Sequence, residues 1–435
     1  MSELDQANLI VRLKRSNCMR TLYWITHDLR LDDNPALRVA SQSSELAFVT
    51  VVNPDWFTEG RYGVASMGKL RWQFLQQSLA DLRDSLARRG CVLNLLRGDP
   101  VAVLAELIEQ FQFQRVVTSR QFGSDELAQL AALIGRFPDV LFSSIDTYTL
   151  FDFSGLPMPV SDIPETYSRF RRKAEKMAVE EPRGMPTRLP ETIELDKACL
   201  GLEAVDADSD PSQRFIGGEA AARAHAESYF SGELPLTYKL VRNELDGWDN
   251  SSKFSAWLNS GCFSVRRLVD LLNEFELRCE RNESTYWLYI ELLWREYFQW
   301  LALKIGKKLF LKNGNAAHQI SGRFDAGAFS AWCRGETQYP LVNACMKQLS
   351  VTGYLSNRGR QIAASCLINE LEGDWRYGAA WFESQLIDYD VAANWGNWQY
   401  LAGVGADPRG GRHFNLAKQT EIYDADGRYR SRWLD

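Results

Sequence analysis

Residues 21–52 read "TLYWITHDLRLDDNPALRVASQSSELAFVTVV", and their reading decides the first half of the fold. A short run rich in aromatic and β-branched residues turns through charge, enters a helical stretch at Pro35 and returns to a second β-rich run. Asp33 or Asn34 ahead of Pro35 can start a helix: a short polar side chain caps free N–H groups, and proline at the first helical position gives up a donor that has no partner there. Strand, helix and strand in that order predict a βαβ unit with parallel strands.

Working outward, "CVLNLL", "RVVTS" and "VLFSSI" continue the alternation to about Asp146, the pattern of a parallel sheet with crossover helices. The clearest helix spans Arg71 to Arg89, with Leu75, Leu79, Leu82 and Leu86 on one face and Gly90 beyond it as a left-handed cap. Another starts at Asp99 with Pro100 behind it. Neither GxGxxG nor GxxxxGK[ST] occurs here, so the alternation alone licenses no dinucleotide or triphosphate site. From Gly155 to Gly218 periodicity fades into Pro, Gly and charge, which predicts a connector wrapped on the surface with at most short helices.

Beyond Gly218 strand signals nearly vanish. "STYWLYIELLWREYFQWLALKIG", residues 284–306, is apolar almost all round yet broken by Glu291, Arg295 and Glu296, so it reads as the buried hub of a helical domain and not a membrane span. The fold class is therefore α/β plus all-α. A doubly wound parallel-sheet domain is expected at 21–150, a connector at 151–224 and a helical domain at 225–425.

The 435 residues are 45 % hydrophobic with a net charge of -6, a globular composition that excludes coating nucleic acid through bulk charge but leaves room for a local patch. "RFRRKAEK" from Arg169 and the series Lys347, Arg358, Arg360, Arg409 and Arg412 could supply one. The start of the chain lacks the apolar core of a secretory signal, so a cytoplasmic protein is expected. Eight cysteines without a CxxC pair predict buried free thiols and no metal site. Ten of fourteen tryptophans fall between Trp248 and Trp398, which directs attention to the C-terminal half.

Three segments there combine polar groups with aromatics. "DNSSKFSAWL", residues 249–258, sets hydroxyls and Lys253 ahead of a helical run, either plain capping or an anion site fit for a pyrophosphate. The hub buries Glu291, Trp294 and Arg295, and burying an acid and a guanidinium costs several kcal/mol unless each is partnered. The third runs from Arg358 and Arg360 into "DYDVAANWGNW", where an Arg–Asp pair can close across a helical hairpin. Within a helix Asp390, Asn394 and Trp398 would share one face. Together the segments describe a pocket for a flat, nitrogen-rich, redox-active cofactor carrying phosphates.

"WITHDLRLDDNPAL", "KFSAWLNSGCFS", "ELLWREYF", "SNRGRQIAAS", "DWRYGAAWFE" and "DYDVAANWGNW", in this order, resemble the motifs of the photolyase/cryptochrome family. "NWGNWQYLAGVG" and "KQTEIYDADGRYRSRWL" resemble its DASH branch. The resemblance implies FAD held by Tyr238, Ser251, Ser252, Lys253, Phe254, Ser255, Glu291, Arg295, Asn357, Arg360, Asp388, Asp390 and Asn394. Arg360 would pair with Asp388 beside the isoalloxazine, and Asn394 would face flavin N5.

The activity it implies is light-driven repair of cyclobutane pyrimidine dimers in single-stranded DNA by a monomeric protein. Glu291, Trp294, Asn357, Gln361 and Tyr400 would line the lesion cavity, and Trp398 and Trp375 would carry electrons. Tyr400 stands where relatives active on duplex DNA have a second tryptophan, which implies weaker capture of a lesion. The alternative is a blue-light photoreceptor without repair.

This sequence departs from the pattern at several positions. Phe324 stands for the outer tryptophan, so the path would reroute through Trp332 or a tyrosine. Gln338, Asn343 and Lys347 replace glycine, aspartate and arginine and are expected to weaken a salt bridge or reshape the cavity rim. Gln121 replaces the glutamate that holds a folate (methenyltetrahydrofolate) antenna.

Overall fold

The computed structural model describes residues 19–195, 214–316, 320–406 and 411–434. The parallel sheet begins with β1 (Arg20–Trp24), α1 (Pro35–Ala40) and β2 (Glu45–Val52). It continues through α2 (Lys69–Ala87), β3 (Leu93–Arg97), α3 (Pro100–Phe111), β4 (Arg115–Ser119), α4 (Ser124–Arg136) and β5 (Leu141–Ile145). Strand order is β3-β2-β1-β4-β5, all parallel, so the order reverses between β1 and β4. Asn34 is the residue that caps α1, its Oδ1 accepting from Leu37 N at 2.9 Å.

Asp33 is freed for another task. Held in a left-handed turn at φ 44°, it turns its carboxylate onto Arg266 at 3.1 Å and onto the Ser264 hydroxyl, both in the helical domain.

Residues 155–195 are mostly exposed or half-buried and carry only short helices, with a few anchors into the core. Helix α5 (Tyr167–Ala174) buries Tyr167, Phe170 and Ala174 against the hub, and Ile163 is also in the core. A two-residue strand, β6 (Glu191–Thr192), then joins the sheet parallel to β2. With only eight residues in α5, too few turns exist for the apolar period to stand out in sequence. Part of the segment, residues 196–213, lies outside the described residues.

The helical part comprises α6 (Glu219–Ser231), α7 (Leu234–Val241), α8 (Ser255–Ser260), α9 (Val265–Arg278), α10 (Glu283–Ile305), α11 (Ala326–Arg334) and α12 (Pro340–Thr352). It closes with α13 (Asn357–Ser365), α14 (Trp375–Gln385), α15 (Val391–Ala402), α16 (Leu416–Tyr423) and α17 (Arg428–Leu434). The hub is α10, started by a capping box between Asn282 and Thr285. Its Glu296 is fully buried and accepts from Leu150 N (2.8 Å), Phe151 N (3.2 Å) and Trp300 Nε1 (2.6 Å). Burial pushes this carboxyl up to about 7 against those three donors. An acid that interrupts the apolar run thereby fastens the hub to the chain leaving the sheet.

One apolar core runs from the sheet face at Tyr23 and Phe48 through to Trp395 and Trp398, while Leu104, Ile108 and Leu133 cover the other face. The joint is tight at Gly261. Its φ is 74°, and a Cβ there would fall 2.0 Å from His27 O at the carboxyl end of β1. Arg30, itself buried, donates to Gly261 O at 3.0 Å and to Thr147 O at 2.5 Å. Gly261→Ala should therefore destabilise the chain by about 1–2 kcal/mol for left-handed backbone and ~1–3 kcal/mol for overpacking, read as a lowered urea midpoint.

Among the described residues no helix is long and apolar enough to cross a membrane. Cys91, Cys262, Cys333, Cys345 and Cys366 are buried free thiols. Cys279 departs from the expectation: it ends α9 and is exposed. Cys18 and Cys199 lie outside the described residues.

Candidate functional site

A cavity of about 580 Å³ opens in the helical domain, lined from α7, α8, α10, α13 and α15. That volume lies within the ~300–1,000 Å³ range of ligand and cofactor pockets. Tyr238, Ser251, Ser252, Lys253, Phe254, Ser255, Glu291, Trp294, Arg295, Asn357, Arg360, Gln361, Asp388, Asp390, Asn394, Trp398 and Tyr400 all line it. Trp375 is not among its walls.

At one end the chain turns through Lys253, whose left-handed φ of 57° lets Ser251, Ser252 and Ser255 gather on one wall. Plain serine capping is not what these residues do: Phe254 is the N-cap of α8 and makes no side-chain cap bond. The Phe254 ring packs among His225, Tyr229, Phe230 and Phe263 instead. His225 Nε2 lies 2.8 Å from Ser252 O, and burial lowers the pKa of His225, so a neutral imidazole donates this bond and fixes the serine loop. Lys253 is buried with its ammonium 4.9 Å over the Tyr354 ring, a cation set at this end of the cavity.

In the middle, Arg360 Nη2 donates to both oxygens of Asp388, at 2.9 and 2.7 Å, and its Nε donates to Leu355 O at 2.8 Å. Asp390 lines the cavity together with Asn394 and Trp398. It is the N-cap of α15, with Oδ1 accepting from Ala393 N at 2.7 Å, which commits one oxygen to the helix. Asn394 Nδ2 donates to Ala379 O at 3.0 Å, which leaves the amide carbonyl and one N–H for a ligand. Arg295 is consumed by structure: it donates to Asn259 Oδ1 (2.9 Å), Tyr148 O (2.5 Å) and Leu258 O (3.2 Å). Burial lowers its pKa, opposed by the charge of Asp390.

At the mouth, Glu291 pairs with Arg242, whose guanidinium sits 4.3 Å over the Trp287 ring. Burial raises the pKa of Glu291 despite that partner. One face of Trp294 is taken by Tyr167, stacked at 3.6 Å and 15°, and its edge meets Tyr400 at 6.2 Å. Arg412 lies 4.7 Å over Tyr400, and Arg358 lies 5.0 Å over Tyr423. Asn357 is exposed at the first turn of α13.

Sequence reasoning missed Arg242, Trp287 and Tyr167. Arg242 precedes the first motif of the helical domain, and Tyr167 sits in the supposed connector, so no local signal marked either.

Several expectations need correction. The basic series divides: Arg358, Arg360 and Arg412 line the cavity, Lys347 does not, and Arg409 lies outside the described residues. Arg169, Arg172 and Lys173 are exposed on α5, the helix that carries Tyr167. Gln338, Asn343 and Lys347 are not among the residues that line the cavity. Asn343 closes a local loop, accepting from Thr337 N at 2.8 Å and donating to Thr337 O at 2.7 Å.

Gln121 is buried and donates to Thr26 Oγ1 at 2.7 Å and Ser119 O at 3.1 Å, so its amide N–H groups serve the carboxyl ends of β1 and β4. Trp375 is fully buried, donates to Lys312 O at 2.9 Å and packs against Trp395 at 5.9 Å.

A polar end with a buried cation, an Arg–Asp pair in the middle and an indole wall share one cavity. Residues 21–191 match the DNA photolyase model, and residues 287–435 match the model for the FAD binding domain of DNA photolyase. The chain belongs to the photolyase/cryptochrome family. Within it, the relatives are DASH cryptochromes. That of Idiomarina loihiensis is 49 % identical, covering 95 % of this chain and 92 % of the relative, and that of Vibrio parahaemolyticus is 43 % identical over 95 % and 92 %.

Among solved structures, the cryptochrome of Synechocystis sp. PCC6803 superposes with a TM-score of 0.90 at 36 % identity, over 97 % of this chain and 89 % of that one. A class III photolyase from Agrobacterium tumefaciens gives 0.81 at 28 % identity, over 98 % and 88 %. FAD is therefore the cofactor of this photolyase/cryptochrome, and its cavity supplies donors of the right kinds: hydroxyls and an ammonium for phosphates, and an Arg–Asp pair and an amide for a heteroaromatic ring.

Proposed function

We propose that this chain repairs cyclobutane pyrimidine dimers in single-stranded DNA under blue light. The observation that carries the reading is the mouth of the cavity. Trp294, backed by Tyr167 at 3.6 Å, offers one indole face, and Glu291 stands one helical turn away with a pKa raised by burial. A flipped-out dimer would pack on the indole, while Glu291, Asn357 and Gln361 would hydrogen-bond its carbonyls. FAD, when bound and reduced, supplies the electron on excitation.

The chain's own work is placement. Ser251, Ser252, Ser255, Lys253 and Tyr238 would hold the phosphates and neighbouring parts of the cofactor. Arg360, Asp388, Asp390 and Asn394 would fix its ring, and Arg358 and Arg412 would meet the DNA backbone. Tyr400, smaller than an indole, supplies less stacking area to compensate the cost of unstacking a duplex base, which favours single strands. A folate antenna in the cleft between domains would have to use Gln121 through its carbonyl oxygen.

Illumination of the reduced holoprotein with dimer-containing oligonucleotides tests the reading. Repair of the single-stranded substrate several-fold faster than of the duplex is expected. Equal rates on both would remove the strand preference. The relatives' designation as cryptochromes favours a second reading, a blue-light photoreceptor, and no repair of either substrate would establish it over the first.

A further inference from the structure

The expected outward path from Trp398 ends at Phe324, a ring that gives up an electron poorly. Phe324 is 49 % exposed and stacks on Tyr377, with centroids 4.0 Å apart and planes at 15°. Two lines of rings lead inward from that tyrosine. One passes through Phe329 (5.7 Å) and Trp332 (6.0 Å) to Trp398 (6.2 Å). The other passes through Tyr62 (5.1 Å) and Trp395 (6.0 Å) to Trp375 (5.9 Å).

A third link runs along the chain itself. Gly378 is so close to the cavity tryptophan that a Cβ there would meet Trp398 Cη2 at 2.3 Å. The residue following Tyr377 thus touches the indole that lines the cavity. Tyr377 is half-buried, next to solvent-exposed Phe324.

We infer that Tyr377 is the outer electron donor of this chain, in the role the expected tryptophan would have had. With FAD bound and excited, Trp398 would give it one electron, and Tyr377 would return one electron to the indole across the Gly378 contact. The phenolic O–H bond breaks and its proton leaves to water. A thiol in solution then gives the tyrosyl radical one electron and one proton, which restores the phenol. The inference rests on Trp398 standing beside the flavin.

Flash excitation of the oxidised holoprotein without DNA, followed by transient absorption and electron paramagnetic resonance, tests it. Wild type should form a neutral tyrosyl radical, and Tyr377→Phe should abolish that signal and slow thiol-dependent photoreduction several-fold at unchanged flavin content. Adding Phe324→Trp to Tyr377→Phe should restore the rate with a tryptophanyl radical. A tyrosyl signal that persists in Tyr377→Phe while Trp398→Phe blocks photoreduction would overturn the assignment of Tyr377 alone. If Trp398→Phe also changes nothing, the placement of the flavin fails and the inference falls with it.

Discussion

Arg360→Met is expected to give a colourless and less stable protein. The Asp388 carboxylate has a side chain 2 % exposed and both oxygens on one guanidinium nitrogen. Removing the cation leaves a buried carboxylate without its partner, at a cost of about 3–5 kcal/mol, and leaves Leu355 O without its donor. The same change removes the pair proposed to lie along the flavin ring.

The double variant Arg360→Met with Asp388→Leu separates the two effects. Replacing both charges by apolar groups is close to neutral in many proteins, so stability should largely return while flavin binding does not. Denaturant midpoints and the flavin absorbance per protein read the two separately. An Arg360→Met protein that keeps its colour and its midpoint would remove the pair from the cofactor site.

Glu291→Ala should lower repair by about a hundred- to a thousand-fold, the usual cost of losing one preorganised donor to a reacting carbonyl. The carboxyl can donate only while protonated. Burial raises its pKa above the ordinary glutamate value, so it keeps its proton to higher pH than an exposed glutamate, and repair should fall as pH rises through that raised value. Glu291→Gln, whose amide donates at every pH, should retain much of the activity and lose that upper limb. An unchanged profile in Glu291→Gln would mean that the upper limb belongs to another group, and loss of activity in that variant would mean that the ionised form, held by Arg242, is the working one.

The same residue shows how a contact escapes a sequence reading. Glu291 was legible as a buried acid inside an apolar hub, because an acid there demands a partner. Which partner was not legible: Arg242 lies 49 residues away, just past a helix outside the quoted motifs. Tyr167 reaches Trp294 from a segment whose composition suggested a surface connector. Asn343 likewise closes its own loop, a contact that no motif marked.

The sequence by itself determined the parallel sheet, the helical domain and most of the residues that line the candidate cavity. Alternating β-rich and helical periods dictate crossover connections, and polar residues forced into an aromatic, apolar region mark a site because burial penalises them unless something binds them. Only the tertiary structure decided how those residues are spent. Asp390 became a helix cap, Arg295 became a fastening between domains, and Gly261 became the point of closest approach to the sheet. The substitution at Phe324 became a stack on Tyr377. The physical reason is common to all of them. A period is a property of neighbours along the chain, whereas a hydrogen bond or a ring contact is made with whatever the fold brings across, and that partner leaves no mark on the local sequence.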